Sequence, residues 1–212
     1  MGEQFSTVLR TGTAQEHENA ENAGFIKAIF DGRLSLDGFA TLVAQHYFIY
    51  QVLEQAAEAM AADPVAGAFV LPELTRLPSL ESDLGHLYGP GWRDRVEPTP
   101  ATLRYLDRLR EVCFTWAGGF VAHHYTRYLG DISGGQAVRA VVERHHGLVD
   151  HRGTSFYVFD GIPSRPGFRT RYRELLDSTG WDAAEQARVV EEACLAFRLN
   201  AAVFADLGAL VP

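Results

Sequence analysis

The chain has 212 residues, with 19 Lys plus Arg against 27 Asp plus Glu, a formal charge of −8. That balance argues against a nucleic-acid binder; two cysteines, Cys113 and Cys194, are too few for a disulfide framework, and no apolar run approaches a membrane span of roughly 20 residues. With 47% hydrophobic residues the expectation is one domain over 1–212, cytoplasmic because neither end carries a leader or membrane-anchor pattern.

Prolines mark the boundaries. Six of nine lie between Pro64 and Pro100, and Pro163 and Pro166 form a second pair. Proline in a helix interior costs about 3 kcal/mol, so long helices are expected within 1–63, 101–162 and 167–211. In Arg10–Asn22, Thr13, His17 and Glu21 share a helical stripe, with Arg10 about two turns before His17 on the same side. A carboxylate one turn from an imidazole can accept its second N–H and fix the tautomer of a metal-bound ring. A longer helix follows on Phe39, Leu42, Val43, Ile49, Tyr50, Leu53, Ala56, Ala57 and Met60, with Asp37 as its N-cap. Thr99 and Pro100 open another as N-cap and first residue, with Leu103, Leu106, Leu109, Cys113 and Trp116 on its apolar face.

The next apolar face runs from Phe120 through Tyr125, Tyr128, Leu129 and Ile132 to Val138, Val141 and Val142. Gly130, Gly134 and Gly135 interrupt it, each costing about 0.5–1 kcal/mol relative to alanine. The pattern resumes at once, which predicts a kinked helix whose bare backbone approaches a flat ligand, with the Asp131 carboxylate inside the bare stretch. Glu143 and His146 form an ExxH half-motif of the di-iron type. Only Ser155–Ile162 reads as extended, and one strand makes no sheet. Pro163–Arg173 holds four arginines and no acid; a helix opening at Pro166 puts Arg169 and Arg173 on one face, suited to carboxylate or phosphate. Gly180 is expected to end that helix. Asp182 and Glu185 resemble a capping box for a last helix through Ala183, Ala187, Val190, Cys194, Phe197, Ala201 and Phe204. The fold expected is all-α, with both cysteines in the core.

Several of these segments together resemble the heme oxygenase family. His17–Asn22 (HENAEN) matches its proximal-histidine motif, and Tyr47–Glu54 (YFIYQVLE) its YxxYxxLE helix. Tyr125–Gln136 (YTRYLGDISGGQ) is very close to its distal-helix signature, and FYVFDGI, GFRTRYR and AFRLN resemble later segments, in the right order. The resemblance implies a helical domain sandwiching heme b between a proximal and a kinked distal helix. It implies oxidative opening of heme, usually at the α meso carbon, to biliverdin, iron and carbon monoxide, in iron acquisition or pigment supply. Heme is then cofactor and substrate, dioxygen a co-substrate, and a ferredoxin or flavoprotein reductase the electron donor. Carried over by position, His17 is the iron ligand and Glu21 its partner. Arg10, Tyr125, Arg169 and Arg173 match propionate contacts, and Ser133 and Phe197 line the heme site. Gly130 and Gly134 match the close-approach glycines, and Asp131 the carboxylate of the distal water network. Tyr50, Tyr105, Arg127 and Asn200 match its supports. Arg10 and Arg169 stand where lysine is common, and Glu16 precedes His17 where threonine is usual. Two other readings stay open on sequence: a non-enzymatic heme carrier or sensor, and a di-iron protein built on Glu143 and His146.

Overall fold

The computed structural model describes residues 3–209. Two long helices organise them because they carry the longest apolar faces: α4 (Leu36–Met60) and α11 (Ala183–Gly208). Between them in sequence come α5 (Leu77–Tyr88), α6 (Pro100–Val112), α7 (Ala117–His124), a π-helical turn (Tyr125–Leu129), α8 (Gly130–Ser133), α9 (Gly135–His146) and α10 (Arg165–Asp177). Short helices α1 (Phe5–Gly12), α2 (Ala14–Glu21) and α3 (Gly24–Phe30) precede α4. α4 packs on α5, α6 and α7, and α11 on α7, α6 and the three short helices. The core between them is apolar and aromatic, with Phe39, Ile49, Tyr50, Leu53, Tyr105, Leu109 and Phe120 all buried.

The helix ends follow local chemistry. Thr99 and Asp182 cap α6 and α11 as expected, accepting from the backbone N–H of Thr102 and Glu185. The cap of α4 is Ser35, not Asp37; Ser35 Oγ accepts from Gly38 N at 3.1 Å, and Asp37 sits in the first turn, where its charge suits the helix dipole. Ser164 caps α10, so that helix opens at Arg165, one residue before Pro166. Gly180 adopts φ +70° two residues past the Ser178 cap, turning the chain after the helix end rather than at it.

Three further expectations change. Arg10 and His17 do not share one helix, because the chain breaks at Thr13, whose hydroxyl turns back to Leu9 O at 2.8 Å. Ser155–Ile162 forms no strand; it opens with a 3₁₀ turn at Ser155–Tyr157, pinned because Asp83 accepts from Phe156 N (2.7 Å) and Arg76 donates to the carbonyls of Phe156 (3.1 Å) and Val158 (2.6 Å). Cys113 is buried, but Cys194 is only half-buried, on the edge of the α11 face.

One buried charge ties α6, α7 and α11. Glu192 accepts from Arg108 at 2.9 and 2.5 Å and from His123 Nε2 at 2.9 Å. Burial opposes its ionisation, yet the bonds from His123 and Arg108 win and hold the carboxyl at about 2, below its ordinary 4.5. A depressed carboxyl stabilises the fold above its unfolded pKa and loses that effect as pH falls through the folded one. Wild type is therefore expected to lose stability between about pH 4.5 and pH 2, and Glu192→Gln to flatten that limb. At neutral pH the variant should cost about 2–3 kcal/mol, because the Arg108 charge loses its buried counter-ion; denaturant unfolding across pH measures both.

Candidate active site

The π-helical turn decides where the chemistry sits. An inserted π turn shifts the phase of the side chains that follow it, and such turns concentrate at functional sites. Here it directs the face carrying Arg127, Gly130, Asp131 and Gly134 toward a cavity of about 460 Å³ between α2 on one side and α8–α9 on the other. Apolar walls come from Ala20, Ile26, Ile29, Leu42, Val138 and Phe204. Into this wall project His17, Glu21, His46, Arg127, Asp131, Ser133 and Asn200, with Phe197 beside them.

His17 lies on α2 with its side chain 49% exposed, a poor position for a structural imidazole. Its Nδ1 is 3.5 Å from Glu21 Oε2, and its ring meets the Phe197 ring edge-on at 5.5 Å. Glu16 binds Arg198 Nη1 at 2.9 Å, so α2 is tied to α11 beside this contact. Glu21 thus stands within ion-pair range of Nδ1, and the other ring nitrogen is left for a ligand.

The glycines opposite do different jobs. A Cβ on Gly130 would meet nothing within 4 Å, and one on Gly134 only Gly130 O at 3.4 Å, so both leave room that a ligand can fill. Gly135 is different: its Cβ would strike Tyr157 Cδ1 at 2.4 Å. Gly130→Ala is therefore expected to raise the unfolding free energy by about 0.5–1 kcal/mol, the usual helix gain. Gly135→Ala should lower it by about 1–3 kcal/mol through overpacking. Chemical denaturation of the ligand-free protein separates the two.

Asp131 is held by a buried polar set. Tyr50 donates to Asp131 Oδ2, and no donor among the described residues reaches Oδ1. Burial pushes the Asp131 carboxyl above the usual range, partly offset by Arg127 and the Tyr50 bond. Burial likewise pushes the Tyr50 phenol far up, so it stays a donor. Arg127 is buried and gives Nη1 to Asn200 Oδ1 (2.6 Å) and Nη2 to His46 Nδ1 (2.9 Å), while Asp131 Oδ2 stands 3.8 Å away. Tyr105 is buried behind this set, its hydroxyl 3.5 Å from His123 Nδ1.

Arg10 and Arg173 line a polar cleft with Ser6, Thr170 and Asp177. Tyr125 joins them: burial raises its pKa, while a hydrogen bond with Thr13 and the charges of Arg10 and Arg173 lower it. Arg169 is half-buried one turn before Arg173 on α10, with no ion pair among the described residues. The di-iron reading fails, because Glu143 is taken by His151 Nδ1 (2.8 Å), Thr154 Oγ1 (2.7 Å) and Arg139 rather than set beside His146. Among the described residues no cluster of three or more His, Cys, Asp or Glu could hold a metal. His46 lies one residue outside the Tyr47–Glu54 motif and lines the cavity all the same. The available signal was spacing, since His46 lies one turn before Tyr50 on the same face.

An all-helical fold that opposes an imidazole to a glycine-lined, π-interrupted helix across an apolar slot defines a helical enzyme built around one flat ligand. Residues 3–206 match the Heme oxygenase family model. The chain is 36% identical over 207 residues to heme oxygenase 1 of a Nostoc species, covering 98% of this chain and 87% of that protein. It is 38% identical to human heme oxygenase 1, covering 100% of this chain and 74% of the human protein. Among solved structures, heme oxygenase-2 from a Synechocystis species, in complex with heme and NO, superimposes with a TM-score of 0.95 at 37% identity, covering 99% of this chain and 87% of that one. The chain belongs to the heme oxygenase family, and its activity is that of a heme oxygenase. No helix among the described residues is long and apolar enough to cross a membrane.

Proposed function

We propose that the chain, as one catalytic domain over 1–212, opens heme at one meso carbon, the α carbon by the family's usual pattern, giving biliverdin, iron and carbon monoxide. Dioxygen is the co-substrate, and electrons come from a separate ferredoxin or flavoprotein reductase. One observation carries the reading: a half-exposed imidazole and a mostly buried carboxylate set among glycines face one apolar cavity. The residues fit heme. The cavity is apolar, Gly130 leaves open space that a Cβ would take, and His17 has a free ring nitrogen. The solved Synechocystis relatives hold heme.

Bound heme supplies a redox-active iron and the ring carbon that is oxidised. In this reading His17 would hold the iron, Glu21 would fix the tautomer of its ring, and Phe197 would pack against that ring. Arg10, Arg169, Arg173 and Tyr125 bind the propionates, where guanidinium forks suit carboxylates. Gly130 and Gly134, with Ser133 beside them, would leave room for the heme against the backbone. Asp131 handles the proton: Tyr50 engages Oδ2, leaving Oδ1 to the cavity, and the raised pKa brings the carboxyl closer to the working pH of a proton carrier. Arg127, Asn200 and Tyr105 position it. Cys113 and Cys194 are both free, as the reducing cytoplasm would leave them.

The test is to give purified protein heme and an electron donor. The expected result is loss of the Soret band with bilin and carbon monoxide formed together. Heme that survives such turnover intact would instead make the protein a carrier or sensor.

A further inference from the structure

His46 lies one helical turn before Tyr50 on α4, and the two side chains divide an i,i+4 pair between them. Tyr50 takes Asp131, and His46 takes Arg127. A buried arginine one turn from a carboxylate ordinarily closes a bidentate pair with it. Arg127 does not: each terminal nitrogen turns one N–H to a neutral acceptor, Asn200 Oδ1 at 2.6 Å and His46 Nδ1 at 2.9 Å. Its nearest approach to Asp131 is 3.8 Å, beyond a hydrogen bond, and its Nε has no partner.

The imidazole is itself fixed. Its ring stacks on Phe156 at 5.1 Å and 28°, and Phe156 is anchored through its backbone by Asp83 and Arg76. Burial, reinforced by the Arg127 charge, keeps His46 neutral. Nδ1 then accepts from Arg127 and the ring proton sits on Nε2. The charged groups facing this ring come from the π turn and α8, as Arg127 and Asp131, with the neutral Tyr50 on its own helix.

We propose that His46 is a positioning residue that holds the Arg127 guanidinium off Asp131, so that the carboxylate keeps an oxygen free for the cavity. This rests on the reading in which Asp131 handles the proton. Without the Nδ1 acceptor, Nη2 is left with the Tyr50 hydroxyl and the charged Asp131 carboxylate as acceptors, and a pair closed on the carboxylate withdraws it from proton traffic.

The test begins with ligand-free protein. Nitrogen-15 NMR of the wild type should show His46 neutral, protonated at Nε2 and accepting at Nδ1, between about pH 6 and 8. In His46→Leu the Arg127 Nε–H resonance and the Asp131 carboxyl carbon should both shift, the latter titrating at lower pH as the pair closes. Loaded with heme, His46→Leu should keep its affinity within about threefold and lose bilin yield by about tenfold. His46→Asn, whose Oδ1 stands near the place of Nδ1, should restore most of that yield. A cationic or Nδ1-protonated wild-type ring overturns the proposal, as does an asparagine variant no better than leucine, or full bilin yield in His46→Leu. Should the leucine variant not fold, the wild-type tautomer and the asparagine variant decide. Unchanged yield in Asp131→Asn, with the predicted His46 tautomer intact, would instead reject the reading of Asp131 beneath the proposal.

Discussion

Replacing His17 by alanine is expected to abolish bilin formation while leaving the fold as stable as wild type. The imidazole is 49% exposed, and its contacts are an exposed carboxylate at 3.5 Å and one edge-on ring. Losing such contacts usually changes stability by no more than about 0.5 kcal/mol. The functional loss should be large, because no other cavity-lining imidazole stands on the α2 side. The half-exposed position also lets a small molecule take the vacated place, so added imidazole should restore turnover and the imidazole signature of the heme spectrum. A native-like spectrum in His17→Ala without added imidazole would mean that another histidine binds the iron. His46 is then the one to remove next, as the second histidine lining the cavity. His123 and His124 are committed in the core to Glu192 and to the Tyr172 hydroxyl.

Much of this architecture was legible because it rests on local rules. The faces of α4, α6 and α11 repeat at three- and four-residue steps, and Thr99 and Asp182 cap where their side chains can reach the third N–H beyond. The glycine cluster announced a special helix by its cost alone. It did not announce that Gly130 and Gly134 serve a ligand while Gly135 serves Tyr157, since that depends on a segment more than twenty residues away. The break at Thr13 had a local signal, since Thr11, Gly12 and Thr13 are poor helix formers, but the stripe shared by Thr13, His17 and Glu21 masked it; in the fold a hydroxyl turned back on Leu9 marks the interruption. Ser155–Ile162 looked like a strand because its aromatic and β-branched residues suit one. What shapes it instead is a pair of distant charges, Asp83 and Arg76, that claim its backbone groups. His46 was hidden for the same reason. Its role is written in a contact with Arg127 across 81 positions, and spacing on its own helix says only that it faces the same way as Tyr50.

The second large effect is expected at Asp131. Asparagine there keeps an oxygen to accept from Tyr50 and nearly the same volume, so the pocket should hold its shape and bind heme with affinity within about threefold of wild type. It removes the group that can carry a proton and the charge that Arg127 faces at 3.8 Å. Proton transfer by a placed side chain is typically worth about 10²–10⁴ in rate, so bilin yield per heme consumed should collapse, with heme lost to other products as electrons continue to arrive. Alanine should behave alike in yield, but it also strips Tyr50 of its acceptor and leaves a buried hydroxyl unpaired, at a stability cost of about 1–3 kcal/mol that asparagine avoids. The measurement is bilin and carbon monoxide per heme, taken with heme affinity and unfolding on the same samples. If asparagine and alanine both keep wild-type yield, the proton comes from elsewhere, and the polar set around Arg127 is only a buried scaffold. If yield falls in both while only alanine loses stability, the carboxylate acts on the reaction, and its hydrogen bond to Tyr50 acts separately on the fold.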